Sequence, residues 1–222
     1  MRRQLVVLVA LGIAFGTVFD NVTENDDLAS LDPAVSSDLI GTRQLWLNQL
    51  FEIVTWAGSG AVLFPLVLVA GLWLHHISRD WRPAVFLLAS LGGAVTISTL
   101  IKLAVARPRP AVPTLVHAVG YAFPSGHSTA AAAGWLSLAL VLGARTDRWV
   151  RKVALVCAAL VVIGLVGVSR VYLGVHQATD VLGGWTLGAL WVLAIVVALR
   201  LREGLREAPG EQIAARSRSS GR

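Results

Sequence analysis

Two histidines, an aspartate and a few well-spaced cations are the residues of this sequence that could do chemistry. His176 and Asp180 stand four positions apart, a spacing that places both on one face of a helix. The carboxylate can then accept from one imidazole nitrogen, which fixes the tautomer and leaves the other nitrogen as a nucleophile or base. The same spacing also serves a structural buried pair. Pro124-Ser125-Gly126-His127 reads as a helix start, in which Pro124 ends the preceding loop, Ser125 is an N-cap and Gly126 lets a ligand approach the backbone. Free amides and the positive end of the helix dipole favour phosphate oxygens at such a place. A plain capped helix has no need of His127. Lys102 and Arg109 flank the end of one apolar run, and Arg170 follows Ser169 at the end of another, so three cations could surround one phosphate.

The elements that must position these groups are membrane helices. Of the 222 residues, 55% are hydrophobic and 14% charged, and the mean hydropathy is +0.69. That balance excludes a soluble globule. The single cysteine, Cys157, cannot form an internal disulfide. The net charge of +6 does not point to nucleic acid, because the basic residues sit singly or in small groups between apolar runs rather than along one polar face. The bilayer, its headgroups and phosphate are the expected partners. A helix needs about 20 mainly apolar residues to cross a bilayer. Six segments qualify, near Leu5 to Phe19, Ala57 to Leu74, Ala84 to Val105, Ser128 to Leu142, Val153 to Val168 and Ala178 to Leu199. The expected fold class is all-α, an integral membrane protein with six transmembrane helices over residues 1–202.

Charge between the spans orients them, since short cytoplasmic segments hold an excess of Lys and Arg. Arg2-Arg3, Arg79 and Arg82, Arg145 to Lys152, and Arg200 to Arg206 all fall on one side, with Asp20, Glu24, Asp26, Asp27, Asp32, Asp38 and Glu52 on the other. Both termini are thus expected in the cytoplasm, with the acidic side outside. Residues 1–19 could instead be a secretory signal, although no small-x-small cleavage site follows. Pro33 to Thr55 suits an amphipathic helix on the outer surface, and residues 203–222, poor in aromatics and rich in Arg, Ser and Gly, suit a flexible tail near anionic lipid. No signature of oligomeric state is present. The seven ionisable residues Lys102, Arg107, Arg109, His127, Arg170, His176 and Asp180 all lie near the outer ends of spans three to six. Charge at membrane depth is costly, so such a cluster is a functional site by default. Snorkelling accounts for a lone Arg107 but not for two histidines and an aspartate.

Lys102 followed by Arg109-Pro110, then Pro124-Ser125-Gly126-His127, then Ser169-Arg170 with His176 and Asp180, resembles the three motifs of the type-2 phosphatidic acid phosphatase family in order and spacing. The resemblance covers roughly the last four helices. Many bacterial members carry an aromatic residue and a proline directly after the second histidine, where this chain has Gln177-Ala178. The resemblance implies a phosphatase acting on a membrane lipid at the outer face of the plasma membrane. His176 would attack phosphorus in line, Asp180 would orient it, and His127 would protonate the departing oxygen. Lys102, Arg109 and Arg170, with the amides near Ser125 and Gly126, would hold the phosphoryl oxygens, and Ser169 would support the phosphate or the His176 pair. Arg107 lies outside the motifs and takes no catalytic role.

Candidate substrates are a polyprenyl diphosphate such as undecaprenyl diphosphate, phosphatidylglycerol phosphate and phosphatidic acid. A two-metal site would need several acidic ligands close together, whereas only Asp180 falls in the cluster, so no metal or other cofactor is expected. His75-His76 fall on the cytoplasmic side and, as sequence neighbours, point to different helix faces. The alternatives are a non-enzymatic lipid-phosphate transporter or binding scaffold, which needs the cations but no oriented nucleophile, and a phosphotransferase or a haloperoxidase relative sharing the phosphate pocket.

Overall fold

In the computed structural model the backbone of residues 2–219 and the side chains of residues 2–202 are described. The described chain is helical, in the order α1 (Arg2–Glu24), α2 (Asp27–Ser30), α3 (Asp32–Gly41), α4 (Leu45–Val54), a 3-10 turn (Thr55–Gly58), α5 (Gly60–Ser78), α6 (Arg82–Val105), α7 (Gly126–Gly143), α8 (Trp149–Tyr172) and α9 (Ala178–Ser219). The flexible tail expected over 203–222 falls outside the residues described with side chains. Helices α1, α5, α6, α8 and residues 178–202 of α9 are long and apolar enough to cross a membrane. Each of the six expected spans has its helix, but α7 is not among the five long and apolar enough to cross, and most of its residues pack against protein.

The composition of α7 explains its central place. Residues 130–134 are Ala-Ala-Ala-Ala-Gly, all buried, and α5, α6, α8 and α9 all pack against the helix. Without a hydrophobic drive between helices in lipid, small residues permit close backbone approach and so more dispersion contact. Gly184 and Gly188 of α9 meet the backbone of α7 at Ser125, Thr129 and Ala133. On the opposite flank Leu63 and Val67 of α5, Leu87 and Leu91 of α6, and Ala130 and Leu138 of α7 form one apolar cluster. Helix α1 closes the bundle against α9, and its Phe15 and Phe19 gather around buried Phe123 just before the start of α7.

One amphipathic helix was expected over 33–55, and the structure places two there, α3 and α4, separated at Thr42 to Gln44. Thr42 explains the break. Its hydroxyl and its amide both bond back to the Leu39 carbonyl, closing α3, and Gln44 is extended. The break also frees Arg43 to donate to the Tyr172 carbonyl (2.8 Å) and the Pro113 carbonyl (2.9 Å). Helix α4 turns Leu45, Trp46, Leu50 and Ile53 outward, as an interfacial helix does, while Asn48 accepts from the Tyr172 hydroxyl at 2.7 Å. The segment between α1 and α5 therefore grips the end of α8 rather than lying free over it.

Candidate active site

The site is built where α6, α7, α8 and α9 end on one side of the bundle. Ser125 caps α7, its side chain accepting from the Ser128 amide and hydroxyl. The Ser125 amide donates to the Asp180 carbonyl at 2.8 Å. This ties the start of α7 to the start of α9 and leaves the amides of Gly126 and His127, in the first turn, as the ones free of an intrahelical acceptor. Of the two amides expected to face an anion, that of Gly126 is thus left unbonded within the helix, while that of Ser125 is taken by Asp180.

His176 lies in the short buried connection from α8 to α9. Gly174 turns that connection at φ +79°, where a β-carbon would also strike the Pro113 carbonyl. The amides of Val175 and His176 return to the Arg170 carbonyl. His176 Nδ1 is 3.3 Å from Asp180 Oδ2, and Nε2 is 3.4 Å from Arg109 Nη1. A guanidinium only donates, so the contact with Arg109 makes Nε2 the acceptor and puts the ring proton on Nδ1, toward the carboxylate. This is the tautomer that a nucleophilic Nε2 requires. Burial pushes the imidazole down to about 4, with Asp180 opposing and Arg170 and Lys102 reinforcing the shift, so the ring is neutral at pH 7.

The cations converge from separate elements. Lys102 Nζ, at the end of α6, donates to the carbonyls of Tyr121 (2.8 Å) and Ala122 (3.1 Å). Arg109 also donates to the carbonyls of Val175 (2.6 Å), Gly120 and Val119. Arg170 is 5% exposed, its Nη1 donates to Thr55, and its Nε is buried without a protein acceptor. A buried guanidinium N–H left unmatched is costly, and it suits an anion's oxygen. His127 sits within electrostatic reach of Arg170, His176, Arg109 and Lys102. Ser169, expected to support the phosphate or the His176 pair, donates its hydroxyl to the Val166 carbonyl in its own helix, 2.6 Å away. Among the described residues no group of three or more His, Cys, Asp and Glu side chains is arranged to hold a metal ion.

Arg107, for which no catalytic role is expected from the sequence, is inside this network. Its Nη1 donates to Asp180 Oδ1 (2.7 Å) and the Thr179 hydroxyl (2.8 Å), and its Nη2 donates to Asp32 Oδ2 (2.9 Å). Asp32, at the start of α3, is 1% exposed and also accepts from the Thr179 amide at 2.9 Å. Its signals in the sequence were its place in the ionisable cluster at the helix ends and its proximity to the motif arginine. Asp32 had none, since it stood among surface acids.

The family model for the PAP2 superfamily matches residues 83–203 of this chain. The chain belongs to that superfamily. It is 36% identical over 163 residues to phosphatidylglycerophosphatase B of Bacillus subtilis (strain 168), covering 72% of this chain and 79% of the relative. It is 28% identical over 159 residues to an undecaprenyl-diphosphatase of Sulfolobus acidocaldarius, covering 69% and 70% respectively. Its fold is similar to the crystal structure of a transmembrane PAP2 type phosphatidylglycerolphosphate phosphatase from Bacillus subtilis, with a TM-score of 0.81 and 32% identity over 88% of this chain and 96% of that one. The superfamily resemblance read from the three motifs is therefore borne out.

Proposed function

We propose that this PAP2 protein is a membrane lipid phosphatase that removes a terminal phosphate through a phosphohistidine at His176, without a metal ion. The observation that carries the reading is the His176 ring itself, held at Nδ1 by Asp180 with Nε2 turned toward Arg109 among cations from three elements. A transporter or binding scaffold uses such cations but has no use for an oriented, neutral imidazole. Metal independence is supported by the donor set, which places carboxylates behind His176 rather than around a shared ion.

Nε2 of His176 attacks phosphorus as the bond to the lipid oxygen breaks, and His127 gives that oxygen its proton. Lys102, Arg109, Arg170 and the Gly126 and His127 amides carry the negative charge of the three equatorial oxygens. Asp180 stabilises the charge that develops on the His176 ring. In the second half His127 takes a proton from water, which attacks the phosphohistidine and frees inorganic phosphate.

In this reading α7 also crosses the membrane and brings the spans to six, both termini are cytoplasmic, and the site opens on the exterior face of the plasma membrane. That placement is supported by the basic residues at the opposite helix ends. The names of the relatives make phosphatidylglycerol phosphate and undecaprenyl diphosphate the leading substrates, with phosphatidic acid next. Phosphate release by purified protein across a panel of these three lipids, with and without excess chelator, tests the proposal. Release from at least one lipid that survives chelation and is abolished in His176→Ala is expected. Strict dependence on an added divalent ion, or full activity in His176→Ala, overturns it.

A further inference from the structure

We propose that Asp32 and Arg107 are positioning residues for the His176–Asp180 couple: Asp32 anchors Arg107, Arg107 holds one oxygen of Asp180, and the other oxygen is thereby aimed at His176. This inference rests on the functional reading above and adds to it a part of the chain far from the three motifs.

A carboxylate on a short side chain turns readily about its last bond unless both oxygens are engaged. In Asp180, which is fully buried, Oδ2 faces His176 Nδ1 and accepts from the Gln177 amide at 2.9 Å, while Oδ1 is taken by Arg107 at 2.7 Å. Arg107 is in turn immobilised. One amino group lies between Asp180 and Thr179, and the other ends on Asp32. The geometry needs the planar fork of arginine, because a lysine offers one point charge where two carboxylates must be reached.

Asp32 completes the frame from outside the bundle. It comes from α3, and it binds both the amide and the hydroxyl of Thr179 in the first turn of α9 as well as Arg107. It thereby acts as a helix cap supplied from another part of the chain. An aspartate at this depth persists only when paired, and every pairing it makes leads to the residues beside Asp180. Arg107 differs here from Lys102, Arg109 and Arg170. Those three bind carbonyls or a hydroxyl, or leave a donor unmatched, and can turn to a phosphate. The two terminal nitrogens of Arg107 are spent on carboxylates.

The test uses the full-length protein in detergent and two readouts, phosphate-release kinetics and titration of the His176 imidazole by NMR with labelled histidine. The charged and titratable groups facing His176 are Asp180, Arg109, Arg170, Lys102 and His127, and the substitutions leave all of them in place. Arg107→Gln removes a positive charge from behind Asp180 and frees its carboxylate to turn. We expect kcat to fall on the order of 10- to 100-fold with KM nearly unchanged, and the His176 titration to move up in pH. Asp32→Asn keeps an acceptor for the Thr179 amide at the same size but removes a negative charge, so the titration moves down, with a smaller loss of kcat. Arg107→Lys restores the titration but not the full kcat. Shifts in the same direction for Arg107→Gln and Asp32→Asn, no shift in either, or a rise in KM at full kcat would overturn the inference. Absence of phosphate release from every lipid by the unmodified protein defeats the functional reading instead, while the titration, which needs no turnover, still decides the pairing.

Discussion

Replacing Gly184 with alanine tests whether the spacing of α7 and α9 governs the chemistry. A β-carbon at 184 would lie 2.7 Å from the Ser125 carbonyl oxygen, 2.8 Å from Ser128 Cβ and 3.0 Å from the Thr129 amide nitrogen, where ordinary contact begins at 3.4 Å. Two of the three are backbone atoms, so no flexible side chain can give way. The helices must part by about 0.7 Å, close to the ~1 Å misplacement that costs a catalytic site on the order of 100-fold. What moves is the seat itself, because Ser125 is also bonded to the Asp180 carbonyl. We expect Gly184→Ala to lose about 10- to 100-fold in kcat, with a stability cost of about 1–3 kcal/mol, the usual range for overpacking. Gly92→Ala is the control. A β-carbon there meets nothing within 4 Å, so the variant gains up to about 1 kcal/mol of helix propensity and keeps its activity. Phosphate release and the thermal midpoint in one detergent, measured for both variants, decide the matter. Wild-type kcat and an unchanged midpoint in Gly184→Ala would refute the reasoning.

His127 as the acid predicts a dependence on the leaving group: His127→Gln should lose about 100- to 10,000-fold on a lipid phosphate, and far less on p-nitrophenyl phosphate, whose departing oxygen needs no proton. Equal losses on both substrates would remove His127 from that role. His176 is protonated at lower pH when folded than when unfolded, so the unfolded chain binds more protons in between and stability rises with pH. The stabilising contribution is complete above about 6.5 and is lost as pH falls toward about 4. Thermal midpoints across that window should fall more steeply for the wild type than for His176→Gln, and parallel curves would contradict the shift. Cysteines at Asp26 and Asp147, introduced after removing the exposed Cys157, should react in intact cells with an impermeant reagent at 26 only. Labelling at 147 alone would reverse the orientation.

The helices were legible because lipid demands long apolar runs, and the motif residues because histidine, aspartate and arginine are rare at that depth. His176 and Asp180 are close in sequence, so their pairing needed no tertiary knowledge, although His176 lies in the turn before α9 and not on the shared helix face that the four-residue spacing implies. Arg107 and Asp32 are partners of another kind. They lie 75 residues apart, and their contact depends on how α3 folds back over the bundle, a placement that hydropathy and charge counts do not encode. In the sequence Asp32 looks like any other acid of the segment between the first two apolar runs. The break between α3 and α4 escaped notice for a related reason. The apolar residues from Leu39 to Val54 keep near-helical spacing, whereas the hydroxyl of Thr42 and the long-range bonds of Arg43 decide where the helix stops. Ser169 is a different case. Its place beside Arg170 pointed to the site, but a serine within a helix readily satisfies its hydroxyl on a carbonyl of the preceding turn.

The most direct test of the account is to trap the covalent intermediate. Rapid quenching of the purified protein during turnover of a lipid labelled in its terminal phosphate should leave an acid-labile, base-stable label on the protein, mapped by mass spectrometry to His176 and missing from His176→Ala. Turnover without label on His176, or label retained when that histidine is gone, would contradict it.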